Sequence, residues 1–341
     1  MSAVIGWDIG GAHLKAARAE GGRIVAAVQV ASPLRLGLAR LAQAFGEAKA
    51  RMGMSERHAI TMTGELADTF VSRGEGVRAL TAAALDALAP VSVGVYAGRA
   101  GFVAPEQADA HVGDIASANW YASASLVGRK LGGALFMDMG STTTDIVPVA
   151  NGAVAARGYS DAERLASGEL VYTGLVRSFL MASAERAPFN GRWCGLIGEN
   201  FANMADVHRI LGTLPEDADQ MGTADGREKT VEASRARLAR MVGADAGDAD
   251  ADAWTALAQW FAEAQLRAVT DGALLVLSQG TLPRDAPIVV AGAGATVLWE
   301  VARRLGRRAL AFDDLIDAEP GARAAVSTCA PAAAVALLAS F

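Results

Sequence analysis

Two short turns in the sequence carry residue types that suit the binding of a phosphate group. In the first turn, Asp8 ends an apolar stretch and is followed by Gly10, Gly11 and Lys15. Paired glycines let backbone N–H groups approach a phosphate because no Cβ atom stands in the way. Asp8 is a suitable ligand for hydrated Mg²⁺, and Lys15 supplies a positive charge. Taken alone, the pattern is more typical of a hairpin that binds nothing.

A second turn, in a later part of the chain, resembles the first. Asp138 and Asp145 flank it, and its hydroxyl and amide groups are hydrogen-bond donors for an anion. Its residues are Gly140, Ser141, Thr142, Thr143 and Thr144. A hydroxyl-rich hairpin tip is the alternative for this turn alone. Two related turns indicate a duplicated domain, and they predict a phosphate clamp with Asp8 and Asp138 beside one metal ion.

A third turn, Ala291-Gly292-Ala293-Gly294, follows an apolar strand and precedes a helix. Small residues and a helix N-terminus suit the close approach of an anionic ligand. We therefore expect Gly292 and Gly294 near the phosphate. A tight connection between strand and helix explains the same residues equally well.

The elements around these turns predict an α/β fold made of two related lobes. Strands are indicated at 4–9, 23–30, 58–63, 91–97 and 287–291, with a strand–turn–strand unit at 134–149. Helical spacing indicates helices at 34–52, 115–131, 198–212, 229–242, 254–278 and 331–340. We expect a first lobe over 1–130, a second lobe over 131–325 with a helical insertion near 180–250, and a C-terminal helix (326–341) packing back on the first lobe.

Composition narrows the class of protein. The chain has 341 residues, a net charge of −6 and a mean hydropathy of +0.25. These values exclude a disordered chain and argue against nucleic acid or an anionic membrane as partner. Cys194 and Cys329 form neither a disulfide framework nor a zinc motif, and Trp193 and Cys194 are expected in the core. With no apparent membrane span or signal peptide, we expect a cytoplasmic protein, monomeric or homodimeric.

The three turns together resemble those of the superfamily of actin, heat-shock-70 chaperones and sugar kinases. The resemblance implies a duplicated, two-lobed actin-like ATPase fold of the ribonuclease H type, with phosphate bound in a central cleft. Ser141 stands where the hydantoinase/oxoprolinase branch usually has a second glycine, and Ala291 departs from the usual double glycine of the adenosine loop. Both departures argue against ATP, which stays a possible cofactor.

A narrower resemblance covers most of the chain. Segments 62–70, 119–129, 167–178, 199–212 and 223–230 are similar to the hydantoinase-like proteins of tetrahydromethanopterin-linked one-carbon pathways. For archaeal members, the family implies formation of an aryl ether in methanofuran biosynthesis. An aminomethylfuran-methyl diphosphate is joined to the phenol of γ-glutamyltyramine, and pyrophosphate is released. The resemblance therefore implies two small-molecule substrates, with Mg²⁺ and the turns holding the diphosphate.

The implied reaction also needs a general base, because a phenol has a pKa of about 10. Glu65, Asp145 and Glu169 are candidates. Glu65 lies at a strand-to-helix junction, which is a usual place for a site residue in an α/β fold. A helix-start carboxylate favoured by the helix dipole is the alternative for Glu65.

The amino and γ-glutamyl groups of the implied substrates need partners as well. Asn203 and Asp206 share one predicted helix face with Glu199, and this face is suited to an ammonium group. Asp225, in a turn within a family-like segment, is a further candidate. The alternatives are a solvated helix face and a plain loop.

Two other functions fit parts of the sequence. The same fold and clamp suit an ATP-dependent small-molecule kinase or a hydantoinase/oxoprolinase-type enzyme. A nucleotide-sensing regulator would need a DNA-binding module, and the acidic chain shows neither a helix-turn-helix segment nor a basic patch.

Overall fold

The computed structural model describes residues 3–340. Its strands are β1 (Val4–Ile9), β2 (His13–Glu20), β3 (Arg23–Ala31), β4 (Arg57–Met62), β5 (Ser92–Tyr96), β6 (Phe102–Val103), β7 (Ala134–Met139), β8 (Thr144–Ala150), β9 (Ala153–Val154), β10 (Leu170–Val171), β11 (Arg186–Phe189), β12 (Arg192–Gly195), β13 (Ile288–Ala291) and β14 (Ala309–Ala311). Its α-helices are α1 (Leu38–Met52), α2 (Arg73–Leu88), α3 (Val112–Ile115), α4 (Asn119–Leu131), α5 (Asp161–Ser167), α6 (Leu180–Ser183), α7 (Met204–Ile210), α8 (Val231–Met241), α9 (Ala251–Leu277), α10 (Ala295–Arg304), α11 (Pro320–Val326) and α12 (Ala330–Leu338).

Two mixed sheets repeat one arrangement. The first sheet has the order β3-β2-β1-β4-β5-β6, and the second has β10-β8-β7-β13-β14, with β9 also paired to β8. In each, a central strand (β1 or β7) pairs antiparallel with the strand that follows it and parallel with the strand on its other side. The prediction of a duplicated, two-lobed α/β fold is confirmed.

The C-terminal helix α12 packs directly on the first sheet. A Cβ atom at Gly6 would overlap the backbone of Ala332 and Ala336, so only glycine on β1 allows this close approach. α12 is rich in alanine and is buried along its whole length. Its side chains share one core with Trp120 of α4 and Phe136 of β7, so this core joins the two sheets.

The segment between β10 and β13 of the second sheet contains an insertion with its own core. Leu180, Phe189, Met204 and Leu238 of this insertion pack against the first half of α9. The helix predicted at 198–212 is limited to α7 because Asn203 caps it.

The insertion also holds a hairpin, β11–β12, that the helical prediction missed. Asn190-Gly191 at its tip, both with positive φ, is the sequence signal that would have found it. The hairpin explains why the expectation of a core position for Trp193 is wrong. Its side chain is 53% exposed and packs edge-on against Trp260 at the surface.

Among the residues that the structure describes, no single helix is both long enough and apolar enough to cross a membrane.

Candidate functional site

The two predicted turns are hairpins of the same geometry. The N–H of Gly10 donates to the carbonyl of His13 at 2.9 Å, and the N–H of Gly140 donates to that of Thr143 at 2.9 Å. The register is also repeated, because Asp8 pairs with Lys15 and Asp138 pairs with Asp145. Both hairpins line one cleft of about 400 Å³, so the structure brings the two turns together.

The hairpin tips are held from behind by the segments that follow them. The Gly11 carbonyl accepts from the N–H of Leu34, and the Gly140 carbonyl accepts from that of Leu175, each at 3.0 Å. Within the described chain, the tip N–H groups of Gly11, Ala12, Ser141 and Thr142 donate no hydrogen bond. Fixed carbonyls and unused N–H groups make such tips suitable for an anion.

Three carboxylates lie in the cleft between the hairpins. Asp8 is 3% exposed and Asp138 is 9% exposed. Burial raises the pKa of Asp8 to about 6 and that of Asp138 to about 7, and the charge of Lys15 opposes both shifts. Burial also raises the pKa of Asp145, against the nearby guanidinium of Arg164. The ionised forms are therefore costly unless a cation joins them.

Asp145 is fixed in place by a buried guanidinium. Arg164 donates to the Asp145 carboxylate at 2.8 Å and to the backbone carbonyl of Glu169 at 2.9 Å. The guanidinium also stacks on the ring of Trp120, 3.9 Å from its centroid. Asp145 consequently accepts a charge-assisted hydrogen bond from Arg164. Because this bond favours the ionised carboxylate, Asp145 is a weak candidate for a general base.

Charged residues that the sequence analysis did not single out also line the cleft: Arg35, Asp68, Asp161, Arg164 and Arg177. The cations that line the cleft are Lys15, Arg35, Arg164 and Arg177, and the carboxylates are Asp8, Asp68, Asp138, Asp145 and Asp161. Asn119, at the start of α4, also lines the cleft, and its side chain acts to lower the pKa of Asp8. His13 stays neutral because burial, Lys15 and Arg177 lower its pKa to about 4.

The predicted metal ligands, Asp8 and Asp138, are both carboxylates of the cleft. No group of three or more His, Cys, Asp or Glu side chains suited to a metal occurs in residues 3–340. Mg²⁺ usually takes one or two carboxylates and completes its shell with water and phosphate oxygens. Asp8 and Asp138 fit that pattern, and the Asp8 Oδ1 atom is buried with no hydrogen-bond partner in the described chain.

Glu65 lies just behind the cleft wall rather than in it. It is 1% exposed, and its Oε1 atom accepts a hydrogen bond from the hydroxyl of Ser117 at 2.7 Å. Ser117 itself lines the cleft. The Ser117 hydroxyl therefore connects Glu65 to the cleft.

Three residues predicted to bind phosphate do not face the cleft. Thr144 donates to the Thr173 carbonyl at 2.7 Å, because strand alternation turns it away from the face of Asp145. Gly292 and Gly294 are glycines because a Cβ atom there would overlap Asp138 or Met139 of β7. The tight-connection explanation therefore accounts for the third turn.

The predicted substrate-binding residues lie elsewhere and have structural partners. Glu169 accepts from the N–H groups of Arg157 and Gly158 at 2.7 and 2.8 Å, so it orders that loop. Asn203 and Asp206 form a reciprocal cap at the start of α7.

Asp206 and Asp225 both bind one buried guanidinium in the insertion. Arg237 is fully buried, and its ion pairs reach Asp206 at 2.7 Å and Asp225 at 3.2 Å. The structure does not bring these two carboxylates to the cleft. The capping pattern explains why Asn203 and Asp206 share a helix face, because Asn at the N-cap and an acid at N3 are standard helix-start residues.

The two related sheets and the paired hairpins define a protein with the two-lobed, actin-like ATPase fold. Acetone carboxylase, in its nucleotide-free structure, shares this fold with a TM-score of 0.59 at 12% identity, over 98% of this chain and 70% of that one. The profile of the hydantoinase/oxoprolinase family matches residues 56–337, and the chain belongs to that family.

Two curated relatives carry the same name, (4-{4-[2-(gamma-L-glutamylamino)ethyl]phenoxymethyl}furan-2-yl)methanamine synthase. The protein from Methanocaldococcus jannaschii is 34% identical over 188 residues, which are 55% of this chain and 56% of that protein. The protein from Methanococcus vannielii is 32% identical over 118 residues, 35% of this chain and 53% of that protein. The matched region therefore spans about half the length of these relatives.

Proposed function

We propose that this protein is a transferase that forms an aryl ether in the biosynthesis of a methanofuran-type cofactor. Its donor is an aminomethylfuran-methyl diphosphate, its acceptor is the phenol of γ-glutamyltyramine or a similar amine, and pyrophosphate is released. The names of the two curated relatives support this choice of reaction. The structural observation that supports the proposal most strongly is the pair of matched hairpins that line one cleft.

The hairpins are suited to a diphosphate. The unused N–H groups of Gly11, Ala12, Ser141 and Thr142 give donors on both sides of the cleft, so one hairpin can hold each phosphate. Lys15 and Arg177 add positive charge to the same cavity. Donors fixed before the reaction stabilise the charge that develops on the leaving oxygen without further reorganisation.

The balance of charges in the cleft supports a divalent cation as cofactor. More carboxylates than cationic side chains line the cleft, so a diphosphate alone would meet repulsion. Asp8 and Asp138 are the residues that would hold Mg²⁺. When bound, Mg²⁺ neutralises negative charge on the diphosphate as it leaves.

The chain's own residues then hold the donor while the furfuryl C–O bond breaks. The pair of electrons of that bond stays on the diphosphate oxygen, and the phenol oxygen forms the new bond to carbon. Leu66 and Ala67 line the same cleft and offer apolar surface to the furan and phenol rings. Apolar walls also exclude water, which would otherwise compete with the phenol.

The test is turnover with defined substrates. Purified protein, Mg²⁺, the furan diphosphate and γ-glutamyltyramine should yield pyrophosphate and the aryl ether in equal amounts, measured by a coupled phosphate assay and mass spectrometry. Omitting the amine should stop ether formation. The absence of an ether with γ-glutamyltyramine or tyramine would refute the proposal.

A calorimetric titration separates this function from an ATP-dependent one. We expect Mg²⁺-pyrophosphate to bind, and we expect turnover to proceed without ATP, since Gly292 and Gly294 are explained by packing on β7. Turnover that depends on ATP would favour a kinase or a hydantoinase/oxoprolinase-type reaction instead.

A further inference from the structure

Ser117 is a cleft residue with an unusual backbone. Its φ is +54°, in the left-handed region that residues other than glycine and asparagine seldom adopt. It lines the cleft and is almost fully buried. A non-glycine residue held in this conformation is strained, and such residues cluster at functional sites. The conformation of Ser117 therefore points to a functional role for its hydroxyl.

The Ser117 hydroxyl connects the cleft to a buried carboxylate. It donates to Oε1 of Glu65 at 2.7 Å, while Oε2 of Glu65 has no hydrogen-bond partner in the described chain. A buried acceptor left without a partner is costly, and a purely structural carboxylate would normally have one. Since Ser117 gives its proton to Glu65, the lone pairs of its oxygen are available to a donor in the cleft.

The position of Glu65 is fixed by the helix behind it. A Cβ atom at Gly76 of α2 would overlap the backbone of Glu65, so glycine allows the helix to press directly on this residue. The charged groups that face Glu65 are Arg73 of α2 and Asp161 of α5, which form an ion pair at 3.0 Å. Their opposite effects partly cancel, and burial dominates in raising the pKa of Glu65.

Ser117 also lies next to the proposed diphosphate site. Asn119, two residues further on, lines the same cleft as Asp8. Leu66 follows Glu65 and lines the cleft, where its half-exposed side chain provides apolar surface for an aromatic ring. A phenol packed on Leu66 would share the cleft with the Ser117 hydroxyl and with Asp8.

We propose that Ser117 and Glu65 form a proton relay for the phenol of the acceptor, an inference that rests on the proposed function. The phenol O–H donates its proton to Ser117 Oγ, and Ser117 passes its own proton to Glu65. The phenol oxygen uses its freed electron pair to bond the furfuryl carbon, and the diphosphate leaves with the pair of the broken C–O bond. Ser117 touches the substrate, while Glu65 acts through it.

The test compares acceptors whose phenols differ in acidity. With the ordinary acceptor, Ser117→Gly and Glu65→Gln should each lower kcat about 100-fold or more, as expected for general base catalysis, with an unchanged KM for the diphosphate. Glycine suits the left-handed φ, so Ser117→Gly removes the hydroxyl without backbone strain. With an acceptor fluorinated on the phenol ring, already ionised at the assay pH, the loss should shrink to under tenfold.

Glu163→Gln is the matched control. Glu163 is an exposed carboxylate that also accepts a hydrogen bond from a serine, in this case from the backbone N–H of Ser160. The variant should keep the wild-type rate. Equal losses with both acceptors in folded variants that still bind Mg²⁺-pyrophosphate would overturn the relay, as would wild-type rates. A wild-type protein that makes no ether with either acceptor refutes the proposed function and the relay with it.

Discussion

Replacing Asp138 by asparagine should stabilise the ligand-free protein at alkaline pH. Burial raises the pKa of Asp138 from 3.8 to about 7, so the folded state holds a proton that the unfolded state has lost. The contribution of this carboxyl to stability is complete below pH 4 and is lost as the pH rises through 7. Each pKa unit corresponds to about 1.4 kcal/mol, so the cost of the ionised form reaches about 4 kcal/mol.

Asparagine has nearly the same shape and cannot ionise, so Asp138→Asn removes this cost. We expect the free energy of unfolding to rise by about 3–4 kcal/mol at pH 8.5 and by only about 1–2 kcal/mol at pH 5, because at pH 5 the native carboxyl is protonated and only the unfolded state has lost its proton. Urea denaturation followed by circular dichroism at both pH values measures the difference. The exposed Asp86 on α2 supplies the control, since Asp86→Asn should change stability by no more than about 0.5 kcal/mol.

The same substitution should abolish binding of Mg²⁺-pyrophosphate, because Asp138 is one of two proposed ligands. A more stable protein that has lost its ligand would show that the carboxylate is retained for function at a cost in stability. Equal gains at pH 5 and pH 8.5, or no gain at pH 8.5, would refute the reasoning from burial.

Three further substitutions test other parts of the structure. Lys15→Ala should weaken Mg²⁺-pyrophosphate binding about 10- to 100-fold in calorimetry, because one charge-assisted contact is lost, whereas Lys49→Ala on α1 should not; equal affinities would contradict the assignment. Arg237→Met should lower the free energy of unfolding by about 2–4 kcal/mol, because Asp206 loses its shortest ion pair and keeps only the one with Arg209 at 3.3 Å, and a change under about 1 kcal/mol in thermal unfolding would contradict this. Gly6→Val should leave little soluble protein in expression assays, because its side chain collides with α12; a soluble variant with a native circular dichroism spectrum would show that the close packing is not required.

The fold and the two hairpins could be predicted because their signals are local. Asp8-Ile9-Gly10-Gly11 and Asp138-Met139-Gly140-Ser141 each combine a strand end with a turn residue, and their repetition indicates a duplicated sheet. The register within each hairpin then follows from the turn itself. This is why Asp8, Lys15, Asp138 and Asp145 meet in one cleft.

The cleft residues that were missed depend on long-range packing. Arg177 follows the loop that fastens the second hairpin, and Ser117 precedes α4 in a strained conformation. No short-range pattern marks either residue as lying beside Asp8. Their positions follow from how the loops of both lobes close over the hairpins.

The predicted site residues that lie outside the cleft share a physical feature. Asn203, Asp206 and Glu169 are polar residues whose oxygen atoms accept hydrogen bonds from nearby backbone N–H groups. Thr144 stands beside cleft-facing threonines, but strand alternation points it to the opposite face. Residue type alone does not distinguish a polar group that caps or orders the backbone from one that binds a ligand.

The central claim is that the two hairpins bind one diphosphate between them, and a crystal structure with Mg²⁺ and pyrophosphate tests it most directly. We expect the anion to lie between the tips at Gly11 and Thr142, with the metal ion at Asp8 and Asp138. Pyrophosphate bound elsewhere, such as in the separate cavity beside Gly292, would contradict the claim.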